Sequence, residues 1–185
     1  MQQSVRQYKE TWNHYDKVRH IALVEAHDDL RNVLVAKNIA VLKSEITLAG
    51  LDQVTFRKLA SWHYYGERLA KWDWQAVEKT YRTHPKRFEL AIWHREHFLA
   101  GASIGRPTWN GKKLRLDLIE ANPTGSAISG IITEIVLTAA NSYALAIGAN
   151  QVRIIDPVNE KVRSHYLRFA GFLYDEQENI CYRNL

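Results

Sequence analysis

The chain has 185 residues, of which 46% are hydrophobic and 24% are charged, a balance typical of a globular protein with a real core. A net charge of +5 favours an anionic partner such as a cofactor phosphate or RNA, although a merely basic surface explains it equally well. The single Cys181 excludes an internal disulfide, argues against a cysteine-rich zinc site and suits a reducing cytoplasm. We predict no metal site, and no membrane partner because no apolar run is long enough to cross a bilayer.

Residues 1–43 are predicted to form a helical N-terminal extension, because apolar residues recur at helical spacing without glycine or proline. Asp28 and Asp29 are predicted to cap the second of two helices there. We expect the extension to pack on the domain formed by residues 44–185 or on a second subunit, which makes a homodimer possible.

The next part of the chain predicts a short strand and two helices. The strand covers residues 44–48, and Asp52 is predicted to cap a helix that runs to about Tyr65. A second helix begins at Asp73 and ends before His84-Pro85, since proline lacks a backbone donor and restricts the residue before it.

Three β runs then predict an antiparallel meander. They cover residues 87–93, 98–104 and 114–118, and the last alternates most regularly between apolar and polar side chains. Gly105-Arg106-Pro107 and Asn110-Gly111 are predicted turns.

The last third predicts one long buried helix inside a sheet. The predicted elements are a helix over 128–147 ending at Gly148, a strand over 151–155, a helix over 160–169 and a hairpin of 172–174 with 180–182. The fold class is therefore α/β (α+β), with a mixed sheet that carries helices on both faces.

Asn159 precedes Tyr166 by seven residues, and Gly171-Phe172 follow closely. This pattern, after a strand, a loop and a long apolar helix, resembles the GNAT acyltransferase superfamily over roughly residues 45–185. The resemblance implies that acetyl-CoA, or another acyl-CoA, binds in a split between two central strands. It also implies that Asn159 contacts the pantetheine or phosphate portion and that Tyr166 protonates the departing CoA thiolate.

The loop that opens the long helix is the expected phosphate site, because backbone N–H groups at a helix N-terminus attract anions. The family's loop carries Arg or Gln, then Gly, then Gly or Ala, and Ala127, Gly130 and Ile132 align with these three positions. Only Gly130 agrees, so the loop motif is degenerate and its backbone would have to hold the phosphates. The residues expected at the cofactor, besides Asn159, are Leu118, Ile119, Ala121, Ser126, Ala127, Ile128, Ser129, Gly130 and Ile131.

Acyl transfer to an amine needs a proton acceptor and an acid. Glu120, at the end of its strand, is the first candidate for the base, and Asp117 is the second. The competing interpretation of Glu120 is a solvated charge at a strand end, and that of Tyr166 is a core aromatic residue.

An aromatic cluster lies between the two predicted helices of the first half. Trp62, Tyr65, Trp72 and Trp74 would form a wall that selects a flat or apolar acceptor. The alternative is that they form a core layer between those helices.

Three functions remain open on the sequence alone. The first is an acyl-CoA-dependent N-acyltransferase that moves an acyl group directly to a small-molecule or macromolecular amine. The second is a nucleic-acid-directed enzyme of the same type, acting on a base or a charged tRNA, which the basic balance and the aromatic cluster suggest. The third is a domain without catalysis that acts as an interaction module through its N-terminal helices, which the degenerate loop suggests.

Overall fold

A seven-stranded mixed sheet forms the centre of the computed structural model, which describes residues 2–65 and 67–185. Its strands are β1 (Ile46–Ala49), β2 (Phe88–His94), β3 (Phe98–Pro107), β4 (Leu114–Ala121), β5 (Gln151–Ile155), β6 (Leu173–Asp175) and β7 (Ile180–Asn184). They lie in the order β1-β2-β3-β4-β5-β7-β6. Only β4 and β5 run parallel; the other neighbouring strands are antiparallel. The predicted mixed sheet is confirmed, but β3 continues through Gly105-Arg106-Pro107, which was wrongly predicted to be a turn.

Helices cover both faces of this sheet, as predicted. They are α1 (Gln2–Ala36), α2 (Gln53–Ser61), α3 (Trp74–Tyr81), α4 (Ile132–Ala146) and α5 (Glu160–Tyr166). One core lies between the sheet and α2 with α3, and the other lies between the sheet and α1, α4 and α5. The predicted cap of α2 is confirmed, because Asp52 Oδ1 accepts from the Thr55 N–H at 2.7 Å. Asp73, predicted to begin the next helix, caps α3 instead, and its Oδ1 accepts from the Gln75 N–H at 3.0 Å. Within the described residues, no helix is both long and apolar enough to cross a membrane.

The first helix is continuous, so the prediction of two helices with a cap at Asp28-Asp29 was wrong. Asp28 lies inside α1 and pairs with Lys43 Nζ at 2.8 Å instead of capping a helix. The buried face of α1 packs on α4 and joins the core that also contains Tyr143 and Val152. Its buried apolar residues are Ala22, Leu23, Ala26, Leu30 and Leu34. The second half of α1 is therefore part of the domain's own core.

A buried arginine fastens α1 to the start of β2. The Arg19 side chain is 5% exposed, and its Nη1 donates to the carbonyl oxygens of Pro85 at 2.7 Å and Arg87 at 3.2 Å. Its Nε lies 3.7 Å from Glu89 Oε1, and Arg87 Nε donates to the other Glu89 oxygen at 2.6 Å. Burial of these charges is tolerated because each one has a partner.

Replacing Arg19 by Met should lower the free energy of unfolding by about 3 kcal/mol, since the carbonyl oxygens of Pro85 and Arg87 lose their shared donor and Glu89 keeps only one of its two arginines. Urea denaturation of the whole chain measures the change. Arg31 lies exposed on the same helix, so Arg31→Met serves as the control and should stay within about 0.5 kcal/mol of the wild type. Equal stability of the two variants would show that Arg19 does not hold α1 in place.

Three helices begin or end at other residues than predicted. The helix predicted to run to about Tyr65 ends at Ser61 and is followed by a tight turn over Trp62–Tyr64. The apolar helix predicted over 128–147 opens with a tight turn over Ser129–Ile131, and α4 itself begins at Ile132. The helix predicted over 160–169 ends at Tyr166. Gly148 does end the long helix, with a φ of 74° that glycine adopts without strain.

A bulge in β4 positions the site. Leu118 pairs with Ile104 and Leu116 pairs with Gly105, so Asp117 is an extra residue in β4. A bulge of this kind bends its strand and increases the local twist. On the other side of β4, the last pair with β5 joins Leu116 to Ile154. The two parallel strands part from that point toward their carboxyl ends, where the crevice of an open sheet is found.

Candidate active site

A cleft of about 480 Å³ opens where β4 and β5 part. Its floor and walls come from the end of β4, the loop before α4, the end of β5, and α5. The segment 67–72, which connects α2 to α3, closes the opposite side and is called the connecting segment below. The lining is largely apolar, and its ionisable side chains are Glu67, Arg68, Asp117, Glu120, Asp156, Lys161, His165 and Tyr166.

Tyr166 lies on the wall of the cleft at the last residue of α5. Its side chain is 7% exposed. Burial, with a smaller contribution from the neighbouring Cys181, raises the pKa of Tyr166 to about 12. The hydroxyl therefore keeps its proton at neutral pH, which is the state that a general acid needs.

Asn159 fixes the start of α5 and does not line the cleft. Its Oδ1 accepts a hydrogen bond from the Val162 N–H at 2.9 Å, which makes it the cap of this helix. Asn159 and Tyr166, seven residues apart, are thus the cap and the last residue of one short helix. Direct contact of Asn159 with a cofactor stays a prediction.

The loop before α4 uses several of its own donors. The N–H groups of Ser126 and Ile128 donate to the Ser129 and Ser126 hydroxyls at 2.6 and 3.3 Å. The N–H groups of Ser129 and Ile131 donate to carbonyl oxygens within the loop at 3.1 Å. Of the predicted loop residues, Ser129 and Gly130 line the cleft, whereas the side chains of Ile128 and Ile131 are fully buried in the core.

The end of β4 is divided between the cleft and the core. Ile119 and Ala121 line the cleft, as the resemblance implies. Leu118 faces α2 and α3 as part of their core, so only its backbone is placed to meet a ligand.

Glu120 is neither solvated nor free. Arg68 Nε donates to Oε1 at 2.5 Å and Arg68 Nη2 donates to Oε2 at 2.8 Å, while the Trp74 indole N–H donates to Oε2 at 2.7 Å. The side chains of Glu120 and Arg68 are 10% and 5% exposed. Both carboxylate oxygens therefore already accept hydrogen bonds from buried donors, and neither is free to accept a proton from a substrate amine. The geometry therefore disfavours the first candidate base.

Asp117 is also engaged. It accepts from the Tyr81 hydroxyl and, at 2.6 Å, from Arg115 Nε. Burial, followed by this hydrogen bond, raises the pKa of Tyr81. The Tyr81 hydroxyl therefore keeps its proton and donates it to the hydrogen bond with Asp117. Because both oxygens of Asp117 accept hydrogen bonds, the geometry also disfavours this second candidate base.

The four aromatic residues predicted to form an acceptor wall divide into two groups. Trp62 and Trp74 are 3% and 1% exposed within the core between the sheet, α2 and α3, so their assignment to the substrate was wrong. Trp72 lines the cleft, and Tyr65 is 53% exposed beside the connecting segment. The core interpretation holds for the first pair because these indoles fill the space between two short helices.

Comparison with known proteins gives matches only among solved structures. No family model matches the chain, and no curated protein sequence matches it. The spermidine N-acetyltransferase of Vibrio cholerae in complex with CoA and spermine is similar with a TM-score of 0.54 at 12% identity, over 76% of this chain and 96% of that chain. Ard1 of Thermoplasma volcanium gives a TM-score of 0.55 at 12% identity, over 76% of this chain and 98% of that chain.

The chain has the GNAT fold. The resemblance drawn from Asn159, Tyr166 and Gly171-Phe172 is confirmed at the level of fold, since the matched structures include spermidine N-acetyltransferases. At 12–13% identity the match carries no residue roles. The geometry of the cleft has to supply those.

Sequence reasoning missed Arg68 in this cleft and gave His165 no role, because neighbouring residues of a helix point about 100° apart and His165 adjoins Tyr166. Burial lowers the pKa of His165, and its Nε2 lies 3.0 Å from Thr133 Oγ1, which ties α5 to the first turn of α4. His165 is adjacent in the sequence to the motif residue Tyr166, but nothing in the sequence indicates its contact with Thr133. Arg68 lies 52 residues from its partner Glu120, so no local pattern indicates that pair.

Proposed function

We propose that the chain is an acyl-CoA-dependent N-acyltransferase that moves an acetyl or other acyl group directly to an amine. The observation that carries the proposal is a cleft at the parting of β4 and β5 in a GNAT fold, with Tyr166, whose hydroxyl is protonated at neutral pH, among its lining residues. A similar structure is a spermidine N-acetyltransferase that binds CoA and spermine. Acyl transfer to an amine is the chemistry that these observations support together.

The residues around the cleft fit an acyl-CoA. Gly130 lines it, and a side-chain atom at that position would meet no other atom within 4 Å, so the backbone is open to a ligand there. Ser129 and Gly130 lie in the turn that leads into α4, next to a helix N-terminus, where N–H groups favour phosphate. Lys161 supplies a positive charge on the same wall, and Ile119, Ile132 and Val162 supply apolar surface for a pantetheine arm.

An acyl-CoA would supply the activated acyl group, and the chain would supply position and a proton. Ile119 and Ala121 present the free edge of β4, beyond its last pair with β5, to the cleft. A backbone N–H on such an edge can stabilise an oxyanion. After the new C–N bond has formed, Tyr166 would give its hydroxyl proton to the departing thiolate sulfur as the C–S bond breaks, and the tyrosinate would take a proton back from water.

Asp117 and Glu120 are held by Arg115 and Arg68, so neither would take the proton of the acceptor amine. The amine would enter the cleft uncharged and give up its proton to water after the C–N bond forms. The rate should therefore follow the fraction of the amine that is uncharged. These pairings also cancel much of the negative charge of the cleft. The site therefore favours an acceptor with a single amine on a largely apolar body. Leu69 and Trp72 of the connecting segment line the cleft and would contact that body.

Acetyl-CoA should raise the melting temperature of the chain. A ligand that binds only the native state adds about 2.7 kcal/mol of stability at 100 times its Kd. For a chain of this size that amounts to roughly 5–10 °C. Differential scanning fluorimetry with up to millimolar acetyl-CoA measures the shift, and ATP at equal concentration is the control for anions that bind any basic surface.

Two results would contradict the proposal. An unchanged melting temperature at millimolar acetyl-CoA would favour a domain without catalysis. Equal shifts with ATP and acetyl-CoA would indicate unspecific binding of anions.

A further inference from the structure

Arg68 is the residue that ties the connecting segment to the sheet. Residues 67–73 contain no helix or strand, so no regular backbone pattern holds them. Within this segment, the guanidinium of Arg68 donates two hydrogen bonds to Glu120 on β4 and one, at 3.1 Å, to the carbonyl oxygen of Trp72. The Arg68 side chain thus binds both ends of the segment, its own backbone and that of Trp72, to the sheet.

Arg68 and Trp72 lie between two separate cavities of the molecule. Arg68 and Trp72 line the cleft, and both also line a shallow groove of about 770 Å³ between α2 and α3. The segment is therefore a thin partition with open space on each side. A partition of this kind keeps its position only if something binds it to the sheet.

We propose that Arg68 is a positioning residue, which holds the connecting segment against Glu120 so that Leu69 and Trp72 stay in the lining of the cleft, where the acceptor would bind. Glu120 is the sheet's anchor for this wall, in place of the catalytic base that the sequence suggested. The inference rests on the proposed function for its acceptor, but the anchoring itself does not depend on catalysis.

The chemistry of the pair explains why arginine is needed. A planar guanidinium meets both carboxylate oxygens at once and still has an N–H for the Trp72 carbonyl. Lysine has one charged nitrogen and cannot keep all three bonds in this geometry. Arg68→Lys should therefore retain the charge and lose the fixed position of the segment.

The decisive experiment is limited proteolysis with chymotrypsin, whose sites include Tyr65, Leu69 and Trp72. Variants Arg68→Lys and Arg68→Gln/Glu120→Gln are compared with the wild type; the double variant leaves no buried charge unpaired. Cleavage after Leu69 and Trp72, identified by mass spectrometry, should become about tenfold faster in both variants, since it reports local opening of the connecting segment. Lys71→Gln, in the same segment but on the groove side, is the matched control and should be cleaved like the wild type.

A second readout separates positioning from general stability. The acetyl-CoA shift of the melting temperature should be the same in Arg68→Lys as in the wild type, because the loop before α4 is untouched. With phenethylamine as the probe amine, KM should rise about tenfold while kcat changes little. Wild-type cleavage rates in both Arg68 variants would overturn the inference. If acetyl-CoA fails to stabilise even the wild type, the proposed function fails, and the cleavage rates still decide the role of Arg68.

Discussion

Replacing Tyr166 by Phe is expected to lower kcat about a hundredfold while the acetyl-CoA shift of the melting temperature stays as in the wild type. General acid catalysis contributes 10²- to 10⁴-fold, and we expect the lower end because a thiolate leaves readily. The phenyl ring keeps the packing of the 7% exposed Tyr166 side chain against the core, so cofactor binding should be unchanged. Steady-state kinetics with acetyl-CoA and an accepted amine measure the loss.

The control is Tyr174→Phe. The Tyr174 hydroxyl donates to Asn179 Oδ1 at 2.9 Å in the terminal hairpin and does not line the cleft. Its kcat should equal that of the wild type. An unchanged kcat in Tyr166→Phe as well would remove the acid role and leave Tyr166 as a core aromatic residue.

The pH profile follows from the same hydroxyl. Because burial raises the pKa of Tyr166 to about 12, the acid form persists through neutral and mildly alkaline pH. The rate should rise with pH as the acceptor amine loses its proton and should fall only as pH approaches the pKa of Tyr166. An alkaline fall that begins near pH 8 would assign the acid to another group.

Replacing Gly105 by Ala is expected to destabilise the chain by about 4 kcal/mol, in the range seen when a close backbone approach is broken. A methyl group on Gly105 would overlap the carbonyl oxygen of Arg115 in the neighbouring strand, and a backbone atom cannot swing away as a side chain can. Gly105 sits where β3 passes the bulge at Asp117. The substitution should therefore also disturb the parting of β4 from β5.

Urea denaturation measures the stability change, and acetyl-CoA titration measures the effect on the cleft. Gly130→Ala is the matched control for stability, since a methyl group there meets no atom within 4 Å. It should change the free energy of unfolding by less than about 1 kcal/mol. A Gly105→Ala protein as stable as Gly130→Ala would show that the two strands can move apart at little cost.

The order of elements was predictable because it depends on local signals. Asp52 and Asp73 precede helical patterns and accept from the first turn of α2 and α3. Gly148 follows the long apolar helix and takes the left-handed conformation that ends it. Each of these signals acts over a few residues, so the sequence displays both partners side by side.

The features that escaped prediction all depend on contacts between distant residues. The bulge at Asp117 exists because β3 and β4 match differently on its two sides, and the alternation of 114–118 hides the extra residue. Glu120 looked like an exposed charge because Arg68 and Trp74 are far away in the chain. Asp28-Asp29 looked like a cap because the sequence does not show that α1 continues across α4.

The long first helix decides how small a piece of this protein can fold. A fragment that begins at β1 would retain all seven strands, yet it would leave the outer side of α4 bare where Leu23, Leu30 and Leu34 now cover it. It would also leave Glu134 without the amine of Lys37, which sits 2.6 Å from its Oε1. Such a fragment would carry every catalytic candidate and still precipitate, because exposed aliphatic surface of that kind drives self-association.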